Sequence, residues 1–331
     1  MISGSICAIL SSCETVVISH LLFVSFVSCV ADLPWCWKTV FPQSRTGPRV
    51  KRKPALAQGR NPHRTRLGQA ATIGHMAQVP VSAIHPVAPD HLGAVALFSA
   101  PIDVRAALER VEVDGQTLDV HLDELPGGQV FNFLASGVTV LLTPVSGPAA
   151  LEGATPPHAF HIMMTFFSDM ARSGEDMPDP VSDEFAARRR TSMHTLHRVY
   201  TAVIRSLMGE EAAVGVARPE LGIIYPADVV TGYRIDAADP FLLWIYVPMR
   251  AGELVSGRTV GLPLFGHLDL EVKDSHRPRE AVYELLANTA GYIISDGATL
   301  MPGQTLGTAA DESIAIAQGR DGDTPTLRLL Y

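Results

Sequence analysis

The sequence predicts an α+β protein, mainly antiparallel sheet with helices packed on one face, open to a reading as two related α/β layers. Two observations predict it. Apolar residues recur at a helical period in two long segments, while short apolar or alternating runs bounded by Gly, Pro and Ser fill much of the remainder. Helices and strands interleave along the chain, but hairpin-length connections argue against a doubly wound parallel sheet.

Taken in order, Ala94 to Ser99 reads as a short apolar strand, and Pro101 to Val111 as a short helix with Val104, Leu108 and Val111 on one side. Val130–Leu134 and Val138–Thr143, separated by Ala135-Ser136-Gly137, form a hairpin. Gly147 to Pro157 is a proline-rich loop, and His161 to Phe167 a buried strand. The clearest helix is Asp183 to Met208. Phe185, Met193, Leu196, Tyr200, Val203 and Leu207 recur on one face, and Arg188, Arg189, Arg190, Arg198 and Arg205 are read as a solvated one. Phe241 to Val247 has no polar residue and is expected as a central strand. His267 to Lys273 alternates, with Leu268, Leu270 and Val272 inward and His267, Asp269, Glu271 and Lys273 on a wet face. A second helix runs from Pro278, a favoured first-turn proline, to Ser295, with Val282, Leu285, Leu286, Thr289 and Ile293 inward. Pro302-Gly303 turns between two short strands, and Thr326 to Leu330 is the last strand. The strand-helix pairs at 94–111 and 267–295 have the look of distant copies.

Charge divides the chain. Residues 1–75 hold all four cysteines and 9 Lys/Arg against 2 acidic residues; residues 76–331 hold 17 basic against 32 acidic, a net of −15. Full disorder is excluded by the 47% hydrophobic content, and a disulfide scaffold by the cysteine-free remainder. Val16 to Val30 is apolar but shorter than the roughly 20 residues of a spanning helix, and no Lys or Arg precedes it as a signal peptide requires. Residues 45–66 are basic, without apolar period, and are expected to be disordered. Three readings of 1–75 stay open: a marginal membrane anchor, a basic tail for anionic lipid or nucleic acid around Arg49-Val-Lys-Arg-Lys53, or an extension preceding a start at Met76. Each leaves residues 76–331, the globular α+β region, in the cytoplasm.

Walker, dinucleotide-binding, nucleophile-elbow, zinc-protease, EF-hand and CxxC signatures are absent, and no cysteine after Cys36 leaves no thiol chemistry for the globular part. No catalytic residue and no cofactor is assigned. The candidate metal ligands are His158 and His161 at the mouth of a strand and His194 and His197 on the long helix; three-residue spacing suits two ligands on a helix, but on a strand only if His158 is still in the loop. Asp269 and Glu271, about 7 Å apart by strand rise, match a paired-carboxylate spacing, though alternating acids more often serve as solubility and edge guards. A net of −15 disfavours nucleic acid.

Residues Ser256 to Glu271, SGRTVGLPLFGHLDLE, together with Tyr292 and the 302–307 turn PGQTLG, resemble the bacterial family of domain of unknown function 4261, the best-matching stretch being about 252–329. The resemblance implies a soluble, bacterial, cytoplasmic protein whose folded part begins well after residue 75. Gly257, Gly261, Gly266 and Gly307 suit tight turns, and Phe265 and Tyr292 core packing. It brings no functional residue. The expectation is a non-enzymatic module that binds another protein, its acidic surface suiting a basic partner. The alternative is a metal-dependent hydrolase or other enzyme using the histidines, and a weaker third reading is a small-ligand sensor at the glycine-rich 257–266 turn.

Overall fold

The computed structural model describes residues 89–125, 128–172, 178–179, 182–232, 240–309 and 312–331. The expectations for residues 1–75 lie outside the described residues. Val79–Tyr331 form one compact unit, and it is α+β, with mostly antiparallel strands.

The chain begins with β1 (His91–Phe98) and the short α1 (Val104–Glu109), capped by the Asp103 carboxylate accepting from Ala106 N–H at 3.0 Å. A small hairpin, β2 (Glu112–Val113) and β3 (Gln116–Thr117), precedes the meander β4 (His121–Leu125), β5 (Gly128–Ala135), β6 (Val138–Ser146) and β7 (Phe160–Phe167). The expected β5–β6 hairpin turns at Ser136 and Gly137, both at positive φ. After α2 (Asp183–Met208) come β8 (Ala213–Arg218), β9 (Ile223–Pro226) and α3 (Ala227–Gly232). The strands form a seven-stranded antiparallel sheet in the order β4-β5-β6-β7-β1-β8-β9.

One face of this sheet is the inner one. Ala94, Phe133, Leu142, Met164 and Phe166 point into a core that α2 fills with Met193, Leu196, Val203 and Leu207. Helix α2 starts where Ser182 accepts from Phe185 N–H, and its apolar stripe is buried as its spacing predicts, except that Phe185 is only half-buried. Its arginines do not all face water. Arg189 is buried and donates to Asp90 Oδ1 (2.8 Å) and to the carbonyls of Pro89 (2.7 Å) and Leu264 (3.3 Å).

The remainder forms a six-stranded sheet, β10-β11-β12-β15-β14-β13, made of β10 (Met249–Ala251), β11 (Val255–Arg258), β12 (Leu270–Ser275), β13 (Thr305–Ala309), β14 (Glu312–Asp321) and β15 (Thr324–Leu330). Helix α4 (Arg279–Ser295) follows β12 and buries Val282, Leu285, Leu286, Thr289 and Ile293, as expected. Among the described residues only β12–β15 is parallel. The two sheets share a scheme. In the first, β1 leads into α1 and a four-strand meander returns β7 beside it; in the second, β12 leads into α4 and a three-strand meander returns β15 beside it. Even and odd strand numbers make the first pairing antiparallel and the second parallel.

Three expectations are corrected. Phe241–Val247 is not a central strand: Phe241–Leu243 is a 3-10 turn and only Tyr246 makes a bridge, to Val260. The segment is bracketed by Pro240 and Pro248 and buries Leu243, Trp244, Ile245 and Val247 without a ladder. The wet face at 267–273 is also absent, since His267 and Glu271 are buried and only Lys273 is exposed. Tyr292 is 49% exposed and not a core residue. Among the glycines of the resemblance, Gly261 and Gly266 flank the 3-10 turn Leu262–Phe265 at positive φ, whereas at Gly257 a Cβ would press on Met249 and Leu286.

Candidate functional site

The four candidate histidines form two pairs. His158 lies in the loop before β7 and His161 on the strand, with ring centroids 6.4 Å apart, edge to face. His158 Nε2 accepts from Ala149 N–H (2.7 Å), so its Nδ1 carries the proton and donates to the Pro156 carbonyl (2.8 Å); His161 Nδ1 donates to the Gly147 carbonyl (2.9 Å). His158 thus closes the 147–159 loop on itself, and His161 ties the loop to β7. On α2, His194 meets Trp244 edge to face at 5.3 Å, and His197 packs 5.5 Å from Trp244 and 4.6 Å from Phe265. His197 Nδ1 donates to the Met193 carbonyl at 2.7 Å, while Nε2 has no hydrogen-bond partner among the described residues. Burial, then the nearby Arg218 guanidinium, hold its pKa well below the usual 6.5, so it packs as a neutral ring. Among the described residues, no three His, Cys, Asp or Glu side chains gather into a group that could hold a metal ion.

Around these rings lies the polar part of the core. Arg218, fully buried, is ion-paired with Glu220, stands 4.8 Å over the Tyr200 ring and donates to the Leu243 carbonyl at 3.2 Å. Trp244 Nε1 donates to Thr201 Oγ1 at 2.8 Å. These bonds tie α2 and β8 to the 241–247 segment.

The alternating residues of 267–271 form an interior polar row. His267 Nδ1 donates to the Leu268 carbonyl (2.8 Å) and Nε2 accepts from Leu300 N–H (3.1 Å). Asp269 Oδ1 accepts from Thr259 Oγ1 (2.9 Å) and Leu262 N–H (3.2 Å), fixing the start of the 3-10 turn. Burial pushes the Asp269 carboxyl up to about 7, opposed by those two bonds. Glu271 accepts from Arg328 Nε (2.9 Å) and pairs with Lys273 Nζ (3.2 Å). A Cβ at Gly319 would run into the Glu271 carboxylate and the Thr326 hydroxyl. Arg258 pairs with Asp321, and Lys273 donates to the Arg320 carbonyl (2.7 Å), so β11 and β12 grip the tip of the β14–β15 hairpin. Asp269 and Glu271 are thus occupied with separate structural partners, and neither is presented to a common substrate.

A cleft of about 550 Å³ is lined by Arg110, Glu112, Arg205, Ser206, Gly209 and Glu210. Arg110 is paired with Glu210, and both arginines sit at helix C-termini, where the dipole favours a cation. The two cations of the cleft are therefore explained by the helices that end there.

The outer face of the seven-stranded sheet is different. Side chains alternate along each strand, so the neighbours of the core residues point outward. Register places Leu134, Thr139, Phe167 and His91 in one outward row, Asn132, Leu141, Thr165 and Gly93 in the next, then Thr143, Met163, Val95 and Ala217. A half-wet antiparallel sheet should carry polar and charged residues here. None of the outward positions of β6, β7 or β1 is Asp, Glu, Lys or Arg. Val95 and Leu97 are buried, Leu141, Met163 and Phe167 are half-buried, and Leu134 is 59% exposed. Sequence reasoning registered this face only as the apolar run of β7; its extent needs the register of four strands.

Residues 258–329 match the family model described as Domain of unknown function (DUF4261), which agrees with the resemblance read from the sequence and covers 72 of the 331 residues. No curated protein and no solved structure matches the chain. Among the described residues, no helix is long and apolar enough to cross a membrane.

Proposed function

We propose that this protein is a non-enzymatic module of the bacterial cytoplasm that binds another protein, and that the outer face of the seven-stranded sheet is where it does so. The observation that carries this reading is the outer face, uncharged along β6, β7 and β1, at whose margin Leu134 stands 59% exposed on a chain whose globular region nets −15. The polar groups that suggested chemistry are engaged inside the fold: both nitrogens of His158, the carboxylate of Asp269 and that of Glu271 all have partners there. A cysteine-free globular part suits a reducing compartment. Native mass spectrometry and affinity capture with the full chain test the reading. Retention of a defined protein, lost on substituting outer-face residues, is the expected result; absence of both a partner and self-association at tens of micromolar would sink it.

A further inference from the structure

We propose that the cleft between the C-terminal ends of α1 and α2 binds a small zwitterion, a free amino acid or dipeptide whose carboxylate meets Arg205 and whose ammonium meets Glu112. The site lies apart from the outer sheet face, and the proposal does not rest on the protein-binding reading. At about 550 Å³ the cleft falls in the size range of small-molecule sites. Four of its side chains are charged, and they are not used alike. Arg110 and Glu210 are paired with each other, which ties the end of α1 to the chain just beyond α2. Ser206 donates its hydroxyl proton to the Ala107 carbonyl at 2.5 Å, so its oxygen lone pairs remain to accept. Arg205, half-buried, and Glu112, exposed, have no side-chain hydrogen bond or ion pair among the described residues. Opposite charges that line one concavity without touching are bridged by a molecule that carries both complements.

Charge narrows the ligand to that class. A bare anion meets a globular region of net −15, the carboxylates of Glu112 and Glu210, and the negative end of the α2 dipole. A bare cation meets two guanidiniums in the cleft itself. A molecule with both charges and no net charge escapes both penalties. The Arg205 guanidinium offers the planar fork that a carboxylate fills with two bonds, and a glutamate accepts from an ammonium. The lining also includes Ala202 and Gly209, whose small size suits a ligand with a short side chain. Because Glu112 and Gly209 are exposed, these contacts are wet. Binding is accordingly weak, with a dissociation constant of about 1 mM, and salt weakens it further.

Isothermal titration of the full chain at low salt tests this, with alanine and alanyl-alanine as probes of two lengths. N-acetylalanine, which lacks the ammonium, and alaninamide, which lacks the carboxylate, are the matched controls. The expected result is saturable binding of alanine or alanyl-alanine. It is weakened at least about tenfold in both blocked analogues, and in Arg205→Gln and Glu112→Gln at unchanged circular dichroism. Glu112→Gln should also lose the preference for alanine over N-acetylalanine, which a merely structural role for Glu112 would leave in place. No saturable heat from either probe up to about 10 mM overturns the proposal. So does equal binding of alanine and N-acetylalanine by wild type, or indifference of the affinity to both substitutions. If Arg205→Gln loses the fold, Glu112→Gln at its exposed position decides by itself.

Discussion

His197 and Asp269 pull the acid stability of this fold in opposite directions. The folded state keeps the buried His197 ring neutral, whereas the unfolded chain takes up its proton below about pH 6.5. Its contribution is level above that pH and falls as the solution is acidified. Asp269 behaves in the reverse sense. With its carboxyl pushed up to about 7 from 3.8, the folded state retains a proton that the unfolded chain has released. The stabilisation is present below about pH 4 and is lost as the pH rises through 7. Between those limits the two slopes offset each other. Urea midpoints at pH 5, 6, 7 and 8 should therefore fall more steeply with acid in Asp269→Asn than in wild type, and less steeply in His197→Phe. Parallel slopes in all three proteins would refute the assignment. Neither role is legible locally: His197 was visible as a member of a helical pair, but Trp244 and Phe265, which enclose it, come from segments 47 and 68 positions further on.

At the scale of elements, helical period and turn chemistry identify what forms, and long-range partners decide what each face does. Helix α2 was legible to its boundaries from its apolar stripe, and the caps that the structure shows at Ser182 and Gly209 are local features as well. The burial of Arg189 was not, since Pro89, Asp90 and Leu264 arrive from two other parts of the chain. Its guanidinium joins α2 to the entry of β1 and to the 3-10 turn of the family-matching region. Arg189→Met should lower the unfolding free energy by about 2–3 kcal/mol, because three bonds to a buried charged donor disappear. Asp90→Asn, whose carboxylate is 39% exposed, should cost about 1 kcal/mol or less. Equal losses in denaturant titrations would mean that the ion pair, and not the carbonyl bonds, carries the effect. The 241–247 and 267–273 segments failed for related reasons. An unbroken apolar run cannot be told from any other buried segment by period alone, and an alternating strand looks half-wet until Arg258 and Lys273 are seen to bring a hairpin tip from near residue 320 over it.

For the whole molecule, one apolar core runs from Leu92 in the first sheet to Leu329 in the second, joined where Trp244 and Phe265 stack 6.1 Å apart beside α2. Such continuity predicts a single cooperative unfolding transition for the compact unit, with far-ultraviolet circular dichroism and near-ultraviolet signals coincident. Two resolved transitions in calorimetry would instead divide the sheets into independent folding units. The amino-acid sequence by itself determined the fold class, the helices α1, α2 and α4, the β5–β6 hairpin, the charge asymmetry and the family resemblance of residues 258–329, because period and turn chemistry act over a few positions. The tertiary structure alone decided that the candidate histidines pin a loop and pack in a core, that the acids of 267–271 have partners inside the fold, and that one sheet face is left uncharged along β6, β7 and β1. Those outcomes depend on register and on partners tens of residues distant, where a polar side chain is bonded inward or left facing water according to what the fold brings beside it.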